Sequence, residues 1–196
     1  MSTVVLATHN QHKVRELGEI LGPQLGGIEL VAYDGPAPVE DGLSFTANAF
    51  IKARAAAAHT GLPALADDSG ICVDVLGGSP GIFSARWGGP ARDADANLEL
   101  LLWQLADVAD EHRGAQFACA AALVLPDGRE HVEESRWRGS ILRERTGAGG
   151  HGYDPIFRPE GSAISAAEMT AAEKNAVSHR TQAFSALLPT LRELLG

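Results

Sequence analysis

The apolar residues of this chain alternate between strand-like and helical spacing. TVVLAT (3–8) reads as a buried first strand, ended by the polar turn HNQHK. From Lys13 onward Val14, Leu17, Ile20 and Leu21 recur at helical spacing and stop before GPQLGG. IELVAY (28–33) reads as a second strand, and DGPAPVEDG (34–42), rich in Pro, Gly and Asp, as a loop. Ser44 stands where a cap belongs for a helix of about fifteen residues with Phe45, Ala49, Ala53 and Ala56 on its apolar face and HTG at its end. LPALA then predicts a strand, DDSG a turn and ICVDVL a further strand.

Downstream, GGSPGIFSARWGGPA (77–91) is a long Gly/Pro loop of the kind that more often carries function than not. Leu98, Leu101, Leu102 and Leu105 predict a helix from about Asp93 to Ala109. AQFACAAALVLPDGREHVEESRWRG reads as a hairpin with PDG at its tip, and TGAGGHGYDPIF (146–157) as a Gly-rich segment ending in a short apolar run. Thr170 and Glu173 are spaced as a capping box. A last amphipathic helix starts near Ser178, with Phe184, Leu187, Leu188, Leu191 and Leu195 inward, and Pro189 inside it predicts a kink. Interspersed strands and helices, with hairpins as well as crossovers, make this an α/β (mixed α+β) chain with a central mixed sheet flanked by helices. No repeat, linker or low-complexity tail divides residues 1–196, and the expectation is one domain.

Composition narrows the function. The net charge is −9 and no basic stripe appears, which argues against general nucleic-acid binding. No apolar run approaches the roughly 20 residues that cross a bilayer, and MSTVVLATHN lacks the features of a signal peptide. Cys72 and Cys119 both sit in apolar runs, and reduced, buried thiols suit a cytoplasmic protein. Of the sixteen cationic side chains only Lys13, Lys52 and Lys174 are lysines. In a chain that uses Arg so freely, these three are candidates for work that wants a compact point charge, such as holding a phosphate oxygen.

Several segments could carry such chemistry. In THNQHK (8–13), backbone amides with Thr8, Asn10 and Lys13 would sit at a helix N-terminus, which favours an anion. Asp67 and Asp68 are adjacent, so on extended chain they point to opposite faces and only one faces a given cleft. With a second carboxylate from Glu40 or Asp41, one of them would suit Mg²⁺, which takes one or two carboxylates with waters and substrate phosphates. Asn48 and Lys52, four apart, share a helix face, and Lys174 and Arg180 bracket the start of the last helix with His179 between them. Each of these segments also has an ordinary structural explanation, such as a cap, a surface charge or a snorkelling lysine.

LATHNQHKVREL, EDGLSFTANAFIKA, LADDSGICVDVLGGSPGIFSARW, GGHGYDPIF and MTAAEKNAVSHR, in this order between residue 3 and about residue 185, resemble the motif set of the RdgB/Ham1 family. Its members are inosine/xanthosine triphosphate pyrophosphatases that hydrolyse non-standard purine nucleoside triphosphates. The resemblance implies an elongated two-lobed fold with the active site in the cleft between lobes, a homodimer, Mg²⁺ as cofactor, and ITP, dITP and XTP as substrates. It implies that Thr8, His9, Asn10, Gln11, His12 and Lys13 hold the triphosphate, with Lys52 near the phosphates. Asp68 would be the general base and a metal ligand, Glu40 the second metal carboxylate, and Ser69 a substrate contact. His151, Gly152, Tyr153 and Asp154, with Lys174, His179 and Arg180, would form the base and sugar–phosphate pocket.

Two positions depart from the family pattern. His151 stands where Phe is usual and would stack on the purine with less apolar area, and His9 stands where Gly is common. Two rival readings are a phosphohydrolase acting on the terminal phosphate or another modified nucleotide, and a nucleotide-binding sensor without catalysis. The sequence alone does not show the dimer surface, and the 77–91 loop with Phe83, Ile82 and Trp87 is a candidate for it.

Overall fold

The computed structural model describes residues 2–196, apart from the side chains of Gln11, His12 and Pro23. Strands β1 (Thr3–Leu6), β2 (Glu29–Ala32), β3 (Ala64–Val73), β4 (Gly114–Val124), β5 (Glu130–Ile141) and β6 (Phe157–Pro159) form one sheet in the order β2-β1-β3-β4-β5-β6. β1 runs parallel to β2 and β3, whereas β5 and β6 are antiparallel, so the sheet is mixed, as the pattern requires. The helices are α1 (Gln11–Leu21), α2 (Phe45–Thr60), α3 (Ala94–Gln104), α4 (Ala171–Val177) and α5 (His179–Leu195). The described residues divide into two compact units, one of residues 2–68, 119–135 and 180–196, the other of residues 69–118 and 136–179.

In the first unit, strand alternation sorts the core into two layers. Val4, Leu6, Leu65, Cys119, Ala121 and Leu123 pack against Leu17, Ile20 and Leu21 of α1 and Phe184, Leu187, Leu188 and Leu191 of α5. Val5, Ala7, Ala64, Ala66, Ala120, Ala122 and Val124 turn the other way, onto Ala49, Ala53, Ala56 and Ala57 of α2. α2 keeps its predicted start and end. The Ser44 side chain accepts the Ala47 N–H at 3.1 Å, and Gly61 closes the helix in the left-handed conformation at φ 68°. α5 runs on through Pro189.

The second unit has its own core of Ile71, Val73, Leu98, Leu101, Leu105, Phe117, Trp137, Ile156 and Phe157. Thr170 and Glu173 form the expected capping box at the start of α4.

Three elements differ from the sequence reading. DDSG is not a turn: β3 is continuous through it, because the charges of both aspartates are met by side chains. ICVDVL is strand only as far as Val73, and Asp74–Leu76 is a 3-10 turn. α3 ends at Gln104, short of Ala109. Arg113, 2% exposed, takes up the Leu105 carbonyl at the helix end and also donates from Nε to Ile141 O at 2.8 Å and from Nη2 to Leu142 O at 2.7 Å. The apolar residues beyond, Leu105 and Val108, still pack into the core from a turn. The long loop contains a 3-10 helix, Gly81–Arg86, in which Phe83 is exposed while Trp87, just after it, packs on the core and donates to Gln104 Oε1 at 2.8 Å.

Candidate active site

The parity of β3 separates the two aspartates. Even-numbered Ala64 and Ala66 face α2 and odd-numbered Leu65 faces α1 and α5, so Asp68 falls on the α2 face and Asp67 on the other.

On the α2 face, Asp68 meets two side chains one helical turn apart. Lys52 Nζ donates to its Oδ1 at 3.3 Å and Asn48 Nδ2 to its Oδ2 at 3.1 Å. The same Lys52 Nζ donates to Glu40 Oε2 at 2.8 Å, so two carboxylates from distant segments meet at one ammonium. Burial alone would lower the Lys52 pKa, but Asp68, Asp67 and Glu40 outweigh it and hold the amine charged. Burial pushes the Asp68 carboxyl above its ordinary range, only partly offset by Lys52 and Asn48. Such a carboxylate is a better proton acceptor than an exposed one.

On the opposite face, Asp67 is almost wholly enclosed, its side chain 1% exposed. Lys13 Nζ grips both its oxygens, at 2.8 and 3.0 Å, and Arg180 Nε donates to Oδ2 at 3.3 Å. Arg180 also pairs with Glu16. Burial would raise the Asp67 pKa, but Lys13, Arg180 and Lys52 overwhelm it and hold the carboxyl far below the usual range. Asp67 is therefore the buried anion that fixes two of the cations singled out in the sequence.

The β1–α1 turn is built as a helix N-terminus. Asn10 Oδ1 accepts the Lys13 N–H at 3.4 Å and Thr8 Oγ1 accepts the Asn10 N–H at 3.2 Å. The His9 ring turns to the 34–42 loop, where Nε2 donates to Gly35 O at 2.8 Å, and lies 5.5 Å from the Tyr33 ring. The Gln11 and His12 side chains lie outside the described residues.

The remaining candidates belong to the second unit and fall into two groups. Asp154, 2% exposed, accepts the His151 N–H at 2.6 Å and pairs with Lys174. Gly150, at φ 74°, lets this turn close, since a Cβ there would lie 2.4 Å from Asp154 Oδ2. The His151 ring is exposed. Tyr153 and His179 are core residues: the Tyr153 hydroxyl donates to Ser84 O at 2.8 Å, and the His179 ring stacks on Phe117 with centroids 4.9 Å apart. Gly152 lies in the same turn at φ 64°, and Ser69 continues β3 beyond Asp68.

Of the residues singled out in the sequence, Lys52, Glu40 and Asp68 come together at one point. Sequence reasoning misses the pairing of Asp67 with Lys13 and Arg180 and gives Asn48 no partner; the spacing of Asn48 four residues before Lys52 is the available signal. The two oxygens beside Lys52 Nζ are both carboxylate oxygens, which suits a magnesium ion completed by water and phosphate oxygens. Among the described residues no three His, Cys, Asp or Glu side chains gather into a cage that would hold a metal by protein alone.

Comparison with known proteins places the chain among nucleotide hydrolases. It is 58% identical over 194 residues to a dITP/XTP pyrophosphatase of Leifsonia xyli, covering 99% of this chain and 98% of that one. It is 56% identical to a protein of the same name from Streptomyces coelicolor, over the full length of both. The crystal structure of a nucleoside-triphosphatase / dITP/XTP pyrophosphatase from Mycobacterium abscessus superposes with a TM-score of 0.79 at 50% identity, covering 95% of this chain and 99% of that one. A HAM1 protein structure from Coxiella burnetii gives 0.90 at 39% identity, covering 98% and 100%. Residues 4–190 match the profile of the Ham1 family, and with relatives this similar along its whole length the chain belongs to that family.

Proposed function

We propose that this protein is a nucleoside triphosphate pyrophosphatase that removes non-standard purine nucleotides, ITP, dITP and XTP, as monophosphate plus pyrophosphate. The convergence of Glu40 and Asp68 on Lys52, with Asn48 holding the other oxygen of Asp68, carries the reading.

In this mechanism the triphosphate lies at the N-terminus of α1, against backbone N–H groups and Lys13. Asp68 accepts a proton from water, the water oxygen bonds to the α-phosphorus, and the bond to the bridging oxygen breaks to release pyrophosphate. Lys52 and Asn48 keep the Asp68 carboxylate turned toward that water. Glu40 and Asp68 would hold Mg²⁺, which supplies neutralisation of the negative charge on the phosphate oxygens. His151, Gly152, Tyr153, Asp154, Lys174, His179 and Arg180, with Ser69, are assigned to the base and sugar–phosphate end on the family resemblance. For Tyr153 and His179 the packed side chains favour a role in shaping that end rather than direct bonds to the ligand. Inosine and xanthosine carry an acceptor at position 6 where adenosine carries a donor. A buried group that donates there is left unpaired by ATP, which gives the selectivity a physical basis.

A cytoplasmic location and a homodimer belong to the same proposal. The two buried, unbridged cysteines support the first, and no helix among the described residues is long and apolar enough to cross a membrane. The exposed Phe83 is the residue of the 77–91 loop best suited to a partner surface.

The test is product release from ITP, XTP, GTP and ATP with Mg²⁺, assaying phosphate with and without added inorganic pyrophosphatase. Phosphate that appears only with the helper enzyme, and mainly from ITP and XTP, is the expected result. Phosphate without it would mean attack on the terminal phosphorus and overturn the proposed chemistry.

A further inference from the structure

The loop that carries Glu40 has no backbone framework of its own. Among the described residues, none of residues 34–43 makes a backbone–backbone hydrogen bond outside a helix or strand. Side chains hold it instead. At its start, Gly35 O accepts from His9 Nε2 and Pro36 O accepts from the Tyr33 hydroxyl at 3.1 Å. At its end, the Gly42 N–H donates to Asn48 Oδ1 at 2.9 Å, and in the middle Glu40 meets Lys52.

Asn48 is 3% exposed, and both ends of its amide are committed. The oxygen takes the Gly42 N–H and the nitrogen donates to Asp68 Oδ2 at 3.1 Å. The two partners fix the amide's orientation, since a backbone N–H needs the oxygen and a carboxylate needs the N–H₂. Gly42 lies so close that a Cβ there would stand 2.6 Å from Asn48 Oδ1. One buried side chain on a rigid helix thus touches both the loop of one carboxylate and the other carboxylate itself.

We infer that Asn48 is a positioning residue that sets the Glu40 loop and the Asp68 carboxylate in register, so that the two carboxylates face one point before substrate arrives. This rests on the proposed pyrophosphatase reading for its catalytic consequence, but not for its structural one. Lys52 supplies charge between the carboxylates, whereas Asn48 supplies the direction of Asp68 and the distance of the loop.

Two variants separate the arms. Asn48→Ala removes both bonds: the Gly42 amide exchanges its hydrogen faster in the metal-free protein, and kcat for ITP falls about 10- to 100-fold with KM within about twofold, as for other losses of an outer-shell partner. Asn48→Asp, assayed at alkaline pH with its carboxyl ionised, keeps an acceptor for Gly42 but loses the donor toward Asp68. Its Gly42 exchange stays near wild type while kcat falls at least as far. An Asn48→Asp protein with wild-type kcat, or an Asn48→Ala protein with unchanged Gly42 exchange, overturns the inference. If the wild-type protein turns over no nucleotide, the pyrophosphatase reading fails and the exchange arm alone decides the positioning role.

Discussion

Replacing Asp67 by Asn tests whether the buried carboxylate organises the cations of the first unit. The amide keeps the shape and removes the charge. Lys13 then keeps one neutral oxygen acceptor in place of the two carboxylate oxygens it grips, and Arg180 keeps Glu16 as an anionic partner. Removing one member of a buried ion pair costs about 3–5 kcal/mol, because the partner charge remains desolvated. Here Lys13 is 20% exposed, so water takes over part of the lost contact, and Arg180 retains an anion, so the lower end applies. At about 3 kcal/mol, and about 2–4 °C per kcal/mol for a chain of this size, the melting temperature falls by roughly 6–12 °C at neutral pH. The pH dependence has a definite sign. The folded pKa of Asp67 is depressed, so its stabilisation is fully present above the ordinary carboxylate range and drains away as acid approaches the lower folded value. The amide of the Asp67→Asn variant does not titrate, so the gap between wild type and variant narrows progressively below about pH 4. Urea titrations at neutral pH and in acid measure both effects. A variant within about 1 kcal/mol of wild type at neutral pH, or a gap that widens in acid, would refute the reasoning. A second readout follows from the freed cations: pyrophosphate raises the melting temperature of the variant more than that of wild type.

Three further outcomes are expected. Asp68→Asn abolishes turnover, by about 10²- to 10⁴-fold, with circular dichroism unchanged, and more than a few per cent residual activity would rule out its role as base. Arg113→Lys costs about 2–4 kcal/mol in a denaturant titration, since one ammonium cannot serve the Leu105, Ile141 and Leu142 carbonyls that a guanidinium reaches together; a cost under about 1 kcal/mol counts against this. Burial raises the pKa of both thiols, so a disulfide-exchange reagent labels neither Cys72 nor Cys119 in the native protein within minutes and labels both in denaturant; rapid native labelling of Cys119 would contradict its place in the core.

Local chemistry alone made much of the chain legible. Ser44 and Gly61 bound α2, the Thr170–Glu173 box starts α4, and the leucines of α5 point inward, because caps and amphipathic spacing act within a few residues of themselves. The shared face of Asn48 and Lys52 follows from helical periodicity. The opposite orientation of Asp67 and Asp68 follows from strand periodicity once the segment is extended, but DDSG reads locally as a turn. Only the helices stacked on both faces of β3 supply the cations and the amide that let two adjacent carboxylates stay in a strand. The end of α3 depended likewise on Arg113, a residue outside the helix. The pairings of Asp67 with Arg180, Asn48 with Asp68 and Tyr153 with Ser84 were decided by tertiary structure alone, because a hydrogen bond between residues 20 to 113 positions apart leaves no periodic trace in the chain.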